Sequence, residues 1–322
     1  MSTPAVALSR IDSAFAADVR EGLAREGQKE LPSSWLYDDV GSALFEAITC
    51  LPEYGLTRAE ERILSAHAHE IANAIWKPAC VIELGSGSGG KTSHILKAVG
   101  AHQPDLRYCP IDVSAAALRA CAKALAPFAE VRPVEASYLA GLSQAVRWRR
   151  PHEHLLVLFL GSTIGNFARP DAIDFLSVVG KHMRSGDSLL LGADLVKPVE
   201  RLILAYDDPT GVTSAFNKNL LGRVNVVLGA GFDLRLFDHE ARYNVVAQRI
   251  EMHLRARVGH SVSIPEADCT IHFQAGETIW TESCHKYRLE ELDAMAESCG
   301  FRADARWVDP DWPFAEMLWV KP

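Results

Sequence analysis

The stretch Val81-Ile82-Glu83-Leu84-Gly85-Ser86-Gly87-Ser88-Gly89-Gly90-Lys91-Thr92 constrains this chain more than any other. An apolar run that breaks into glycine and resumes with helical spacing is a strand, a turn and a helix, the opening of a βαβ unit. Two patterns overlap in it. Gly85, Gly87 and Gly90 read as G-x-G-x-x-G, whereas Gly85, Gly90, Lys91 and Thr92 read as G-x-x-x-x-G-K-T. The first predicts a nucleoside cofactor lying over the turn and the second a phosphate cradle. A turn without a ligand is disfavoured, because so many φ-permissive residues lower stability unless something must approach the backbone closely.

Around that turn, strands and helices alternate. Strands are predicted over residues 80–84, 107–112, 131–137, 155–160 and 188–191, and helices over 91–99, 114–125, 170–183 and 198–205. Right-handed crossovers between them imply a doubly wound, mostly parallel α/β sheet covered on both faces. The preceding helix is predicted to start at Thr57, with Glu60 completing a capping box and Leu64, Ala68, Ile71 and Ile75 forming its apolar face. After Tyr206 the pattern changes. A helix over 213–228 gives way to period-two alternation in 250–258 and to strands over 261–264, 269–273 and 278–283, the last two expected to form a hairpin through Gln274-Ala275-Gly276. A helix over 288–298 and strands over 302–307 and 315–320 close the chain. The expected division is a cofactor-binding domain of residues 57–206 and 287–322, and a second, α+β substrate-binding domain of 1–56 and 207–286.

Charge and cysteine usage exclude some functions. A net charge of −8 gives no electrostatic footprint for nucleic acid. Seven scattered cysteines without a C-x-x-C pair favour free thiols over a disulfide framework or a zinc site, and no metal is expected. His67 and His69 lie two apart on a helix and so point to different sides. No apolar run approaches the ~20 residues of a membrane span, and the first ten residues lack a basic start followed by an apolar core. A cytoplasmic location, a small-molecule substrate and a monomer are expected.

The residues flanking the turn discriminate between its two readings. A phosphate cradle needs a second acid to hold Mg²⁺, a role for which Asp194 is available. Glu83, however, precedes the turn, where a carboxylate repels a triphosphate and tolerates a sulfonium or ribose. Asp112 ends the second strand, placed to accept hydrogen bonds from both hydroxyls of an adenosine ribose. The terminal strand pair after five parallel strands is similar to the sheet of class I methyltransferases that use S-adenosylmethionine.

A narrower resemblance follows from motifs spread over nearly the whole chain. They are Leu36-Tyr37-Asp38, Gly41-Ser42-Ala43-Leu44-Phe45-Glu46, Leu51-Pro52-Glu53-Tyr54, Glu83-Leu84-Gly85-Ser86-Gly87-Ser88 and Pro110-Ile111-Asp112-Val113-Ser114. Further on come Phe159-Leu160-Gly161-Ser162-Thr163-Ile164-Gly165-Asn166, Asp194-Leu195-Val196-Lys197, Ala205-Tyr206-Asp207-Asp208 and Ala215-Phe216-Asn217-Lys218-Asn219. In this order they resemble the histidine Nα-methyltransferases of ergothioneine biosynthesis, which make hercynine. The resemblance implies that Tyr37, Gly85, Lys91 and Asp112 contact S-adenosylmethionine, with Ser137 and Tyr138 near the adenine. It implies that Asn166 and Tyr206 hold the amino and carboxylate groups of the amino acid and act as the catalytic pair. Tyr54 and Phe45 would close the site, Gly161 would lie beside it, and Met252 and Glu282 would face the substrate side chain. S-adenosylhomocysteine would be the product of the cofactor.

Two departures stand out. Cys284 replaces a serine that hydrogen-bonds the imidazole in the family, and a thiol is a weaker donor and acceptor. Ser137 replaces an acid near the adenine. Cys284 leaves open the same chemistry on tyrosine or tryptophan, Ser137 accepts from the adenine amine less strongly than a carboxylate, and the glycine turn leaves open a P-loop nucleotide hydrolase.

Overall fold

The computed structural model describes residues 10–322. Residues 1–9, read above for a leader segment, lie outside them. Two compact units emerge, one made of residues up to Glu53 with Val199–Val245 and Ile250–Ser283, the other of Tyr54–Pro198, Val246–Arg249 and Cys284–Pro322.

The described residues begin with helix α1 (Arg10–Leu23), strand β1 (Lys29–Glu30) and helix α2 (Asp39–Thr49). Helix α3 (Gly55–Ala74) leads into β2 (Ala79–Leu84), α4 (Thr92–Gly100), β3 (Arg107–Asp112), α5 (Ala115–Leu125), and the short strands β4 (Glu130–Val131) and β5 (Val134–Glu135). There follow α6 (Tyr138–Ala145), β6 (His154–Phe159), α7 (Arg169–Lys181) and β7 (Ser188–Asp194). Next are α8 (Val199–Tyr206), α9 (Val212–Leu228), β8 (Phe237–Asn244), β9 (Arg249–Ala256), β10 (His260–Ile264), β11 (Cys269–Phe273) and β12 (Thr278–His285). Helix α10 (Leu289–Ser298) and strands β13 (Arg302–Asp309) and β14 (Phe314–Val320) complete the order.

In the second unit the sheet runs β13-β14-β7-β6-β2-β3-β4, with β5 also on β3. Strands β3, β2, β6 and β7 pair in parallel, and β14 is antiparallel to both β7 and β13. Successive side chains of β2 serve opposite cores. Cys80, Ile82 and Leu84 join Phe159 and Leu191 on one face, while Val81 joins Leu156 and Leu190 on the other. Helices cover both faces, which is why these strands read as continuous apolar runs. The turns after β2, β3, β6 and β7 consequently gather at the carboxyl edge of the sheet, where open α/β sheets bind ligands.

The first unit holds a four-stranded sheet, β1-β12-β9-β8, and β10 and β11 form a separate antiparallel pair. Asp38 caps α2 by accepting from Gly41 N at 2.7 Å, and Asn219 of α9 donates to the same oxygen at 2.8 Å. A Cβ on Gly41 would lie 1.7 Å from the Leu36 carbonyl oxygen, so only glycine closes this turn.

Four expectations need correction. The strand over 131–137 is two short pieces, because Pro133 between them has no N–H for the ladder, and Ser137 stands at the start of α6 instead, without a capping hydrogen bond from its side chain. Helix α3 starts at Gly55 with Tyr54 before it, not at Thr57, and there is no capping box. Gly55 lets the Trp312 ring press on the helix start, where a Cβ would be 2.2 Å from that ring, and the Glu60 carboxylate turns inward. Strands β11 and β12 do not form a hairpin, since Ile271 and Phe273 share the inward face of the β10 pair with Val262 and Ile264. Finally, β8 has no counterpart in the expectations because Phe237 alone of its residues is buried. Among the described residues no helix is long and apolar enough to cross a membrane.

Candidate active site

The turn after β2 places Gly85, Gly87 and Gly89 at positive φ, of 74°, 51° and 75°. Gly85 N donates to the Ile111 carbonyl at 2.8 Å, which binds the turn to the end of β3. Asp112 then reaches across. One of its oxygens accepts from Gly87 N at 3.0 Å and the other from Ser114 N at 2.9 Å, leaving lone pairs on both. The ring of Tyr138 lies over Gly85, at 3.2 Å from where a Cβ would stand. Burial, followed by the nearby Asp112, pushes the Tyr138 phenol up to about 12, so it stays neutral. Ser137 beside it is exposed. Open backbone around Gly87 and Gly90, a half-satisfied carboxylate and a neutral aromatic face form a cradle whose donors and acceptors fit an adenosyl group.

The phosphate-cradle reading fails on the same turn. Thr92 Oγ1, which would meet Mg²⁺, donates to the Glu83 carboxylate at 2.9 and 2.8 Å. Glu83 is buried, also accepts from Tyr108, and is pushed up to about 7 by burial against the pull of those hydrogen bonds. It therefore supports the turn from within and does not face a ligand, as its position before the glycines had suggested. Lys91 Nζ is bonded to Glu60, a carboxylate with no exposed surface. Asp194, the other acid available for Mg²⁺, is equally enclosed, holding Lys197, Lys286 at 2.9 Å and Trp312 Nε1 at 2.9 Å. Burial works against its charge, but the two ammonium groups outweigh it and hold Asp194 below the usual carboxylate range.

Three further candidates sit at the carboxyl edge of β6. Gly161, at φ 74°, gives its N–H to Glu60, so a single buried carboxylate ties this turn to Lys91 of the glycine turn. Asn166 ends the short 3-10 turn Thr163–Asn166. That turn is fixed by Ser162 Oγ accepting from Asp194 N at 2.9 Å and by Tyr287 OH donating to the Ile164 carbonyl at 3.2 Å. Cys284 packs on it as well, its Sγ 3.2 Å from where a Cβ on Gly165 would be. Tyr54 is buried at the start of α3.

In the first unit, Tyr37, Phe45 and Phe216 form an aromatic cluster with ring centroids 5.5 to 6.0 Å apart. Tyr37 OH donates to Glu282 Oε1 at 3.3 Å, so this tyrosine meets a residue expected to face the substrate. Met252 is buried on the neighbouring strand, its carbonyl accepting from Thr281 Oγ1 at 3.0 Å. Tyr206 ends α8, and its carbonyl is 2.7 Å from His239 Nε2. The other ring nitrogen of His239 faces Asn217 Nδ2 at 2.9 Å. Burial keeps His239 below its ordinary value, so the neutral ring donates to Tyr206 and accepts from Asn217.

Sequence reasoning missed Glu60, Lys286 and His239 as site-supporting residues. Glu60 carried a signal that pointed elsewhere, toward a helix cap. Lys286 and His239 carried none, because Asp194 and Tyr206, to which they bond, lie far away in the chain. Among the described residues, no group of three or more His, Cys, Asp or Glu side chains could hold a metal ion.

An eight-strand sheet with one antiparallel strand inserted next to the edge strand, together with a glycine turn and an acid ending the following strand, defines a class I S-adenosylmethionine-dependent methyltransferase. Residues 15–321 match the family described as histidine-specific, SAM-dependent methyltransferase. The chain belongs to that family. It is 42% identical to the histidine N-alpha-methyltransferase of Mycolicibacterium smegmatis, over 96% of this chain and 95% of that protein. Identity to the enzyme of the same description from Mycobacterium tuberculosis is 41%, again over 96% and 95%. Ergothioneine biosynthesis protein 1 of Schizosaccharomyces pombe is 30% identical over 86% of this chain, but over only 37% of its own length.

Proposed function

We propose that this enzyme methylates the α-amino group of L-histidine, up to the trimethylated product hercynine, as a step of ergothioneine biosynthesis. The observation that supports this most is a match of one family over residues 15–321, which takes in the glycine turn, Asn166, Tyr206 and the Tyr37–Glu282 pair alike. When bound, S-adenosylmethionine supplies a methyl group already activated by its sulfonium. Gly85, Lys91 and Asp112 would hold it, Asp112 through the ribose, with Ser137 and Tyr138 beside the adenine and Tyr37 a further contact.

The protein's remaining task is orientation of an uncharged nucleophile. Asn166 would hold the α-amino group and Tyr206 the carboxylate, aiming the nitrogen lone pair in line with the bond that breaks. A dedicated general base is unnecessary, because an amine with a pKa somewhat above neutral loses its proton before or during binding. Glu282 and Met252 would face the imidazole, and Phe45, Tyr54 and Gly161 would shape the pocket around the amino acid. The unit that contains the glycine turn is assigned to the cofactor and the other to the amino acid. The enzyme is taken to act as a cytoplasmic monomer on a free small molecule, without nucleic acid or membrane.

A second reading, the same chemistry on tyrosine or a tryptophan derivative, draws on Cys284 standing where the family has serine. Incubation with S-adenosylmethionine and the standard amino acids, read by mass for one, two or three added methyls, tests both. Three methyls on histidine alone is the expected outcome. Methylation of another aromatic amino acid in preference to histidine favours the second reading, and no transfer to any member of the panel defeats both.

A further inference from the structure

Cys284 sits beside a buried cation. Its Sγ is 3.1 Å from Lys286 Nζ. The Lys286 side chain has no exposed surface and is anchored by Asp194 Oδ2 at 2.9 Å. Asp194 in turn keeps Lys197 and Trp312 Nε1 as further partners. The sulfur also touches the turn that carries Asn166, through Gly165.

An ammonium group has only donors, so its contact with the sulfur occupies a sulfur lone pair. The thiol keeps its proton, polarised by the neighbouring charge, to offer a substrate, while that same charge makes the remaining sulfur lone pair a poorer acceptor. A neutral imidazole has a ring nitrogen with a lone pair and accepts such a proton. An indole ring nitrogen is a donor only and does not.

We propose that Lys286 is a positioning residue that makes Cys284 a directed S–H donor, and that the pair selects an acceptor whose ring carries a nitrogen lone pair over one whose ring nitrogen bears only hydrogen. This rests on the reading of histidine as substrate and of Cys284 as a neighbour of its ring. It accounts for a thiol at this position: the charge of Lys286 strengthens a donor that is weak by itself.

The test is a double-variant cycle on the full chain. Values of kcat and KM for histidine and tryptophan are measured in wild type, Lys286→Met, Cys284→Ala and the combined variant, with cofactor KM alongside. Lys286→Met leaves Asp194 with Lys197 and Trp312. It is expected to raise the KM for histidine about tenfold, keep kcat and the cofactor KM within about twofold, and narrow the histidine preference over tryptophan. In the Cys284→Ala background the same substitution is expected to add nothing. An equal loss in that background, or an unchanged KM, would show a purely structural lysine and overturn the proposal. Cys284→Ser, which leaves Lys286 in place, is an independent arm. A hydroxyl is the stronger donor, so the serine variant should match or improve on wild-type KM while the alanine variant rises about tenfold. Identical serine and alanine values also overturn the proposal. Wild-type protein inactive on histidine in the same assay defeats the substrate reading itself, whereas an active wild type with independent variants defeats only the role of Lys286.

Discussion

Tyr206 and Glu316 show two kinds of buried polar residue, one assigned to chemistry and one that only the tertiary structure reveals. If the Tyr206 hydroxyl aims the substrate, Tyr206→Phe lowers turnover more than it lowers cofactor binding, as measured by kcat against the dissociation constant for S-adenosylhomocysteine. An unchanged rate removes Tyr206 from the mechanism. Glu316 has no exposed surface, and neither of its oxygens finds a hydrogen-bond partner among the described residues. Burial pushes its carboxyl up to about 8, only partly offset by Lys91. A carboxyl whose folded pKa is raised favours the fold while protonated and loses that contribution as pH rises from its unfolded value near 4.5 to about 8. Glu316→Gln mimics the protonated form. Its stability advantage over wild type should be absent near the unfolded pKa, grow by up to about 1.4 kcal/mol per pH unit, and level off once the folded group has ionised. Urea unfolding at several pH values measures it, and a difference that does not change with pH shows that Glu316 is not buried in neutral form.

Helix α3 and the turns after β2 and β6 are one mechanical assembly because Glu60 bonds both Lys91 and Gly161 N. Gly192 of β7 permits it, since a Cβ there would lie 2.7 Å from Glu60 Oε1 and 3.0 Å from Glu316 Oε1. Glu60→Gln keeps the shape but removes the charge that faces Lys91. Lys91 is 26% exposed and keeps access to water, so the loss falls below the about 3–5 kcal/mol of a fully buried pair. Because the two turns carry a cofactor candidate and an acceptor candidate, KM for both substrates should rise together; a rise confined to one of them refutes the coupling. At this scale the sequence was legible where one period dominated and misleading where a local pattern competed with a distant partner. The alternating 250–258 segment became β9, close to its expected limits. The Thr57-to-Glu60 pattern has the spacing of a capping box, yet Trp312 and Lys91, brought in by the fold, drew both the helix start and the carboxylate elsewhere.

Protection against hydrogen exchange should follow the layering of the whole molecule. Strands β2, β6 and β7 are central and buried along nearly their whole length, so their amides should exchange slowest, while the two-residue strands β4 and β5 and the edge strand β13, whose residues alternate with exposed ones, should exchange first. Exchange measured by mass spectrometry that finds β13 as protected as β6 contradicts this ordering. The glycine turn, the alternation of strands and helices and the motif order were all local or periodic signals, and by themselves they determined the parallel sheet and the family resemblance. Chain order carries them because each depends on neighbours a few residues apart. The partners of Thr92, Glu60, Lys91 and Asp194 were decided only by the tertiary structure, and with them the rejection of the phosphate cradle. So was the lysine behind Cys284. Asp194 and Lys286 are separated by 92 positions, and a buried charge finds its partner across such a distance only once the sheet has closed around both.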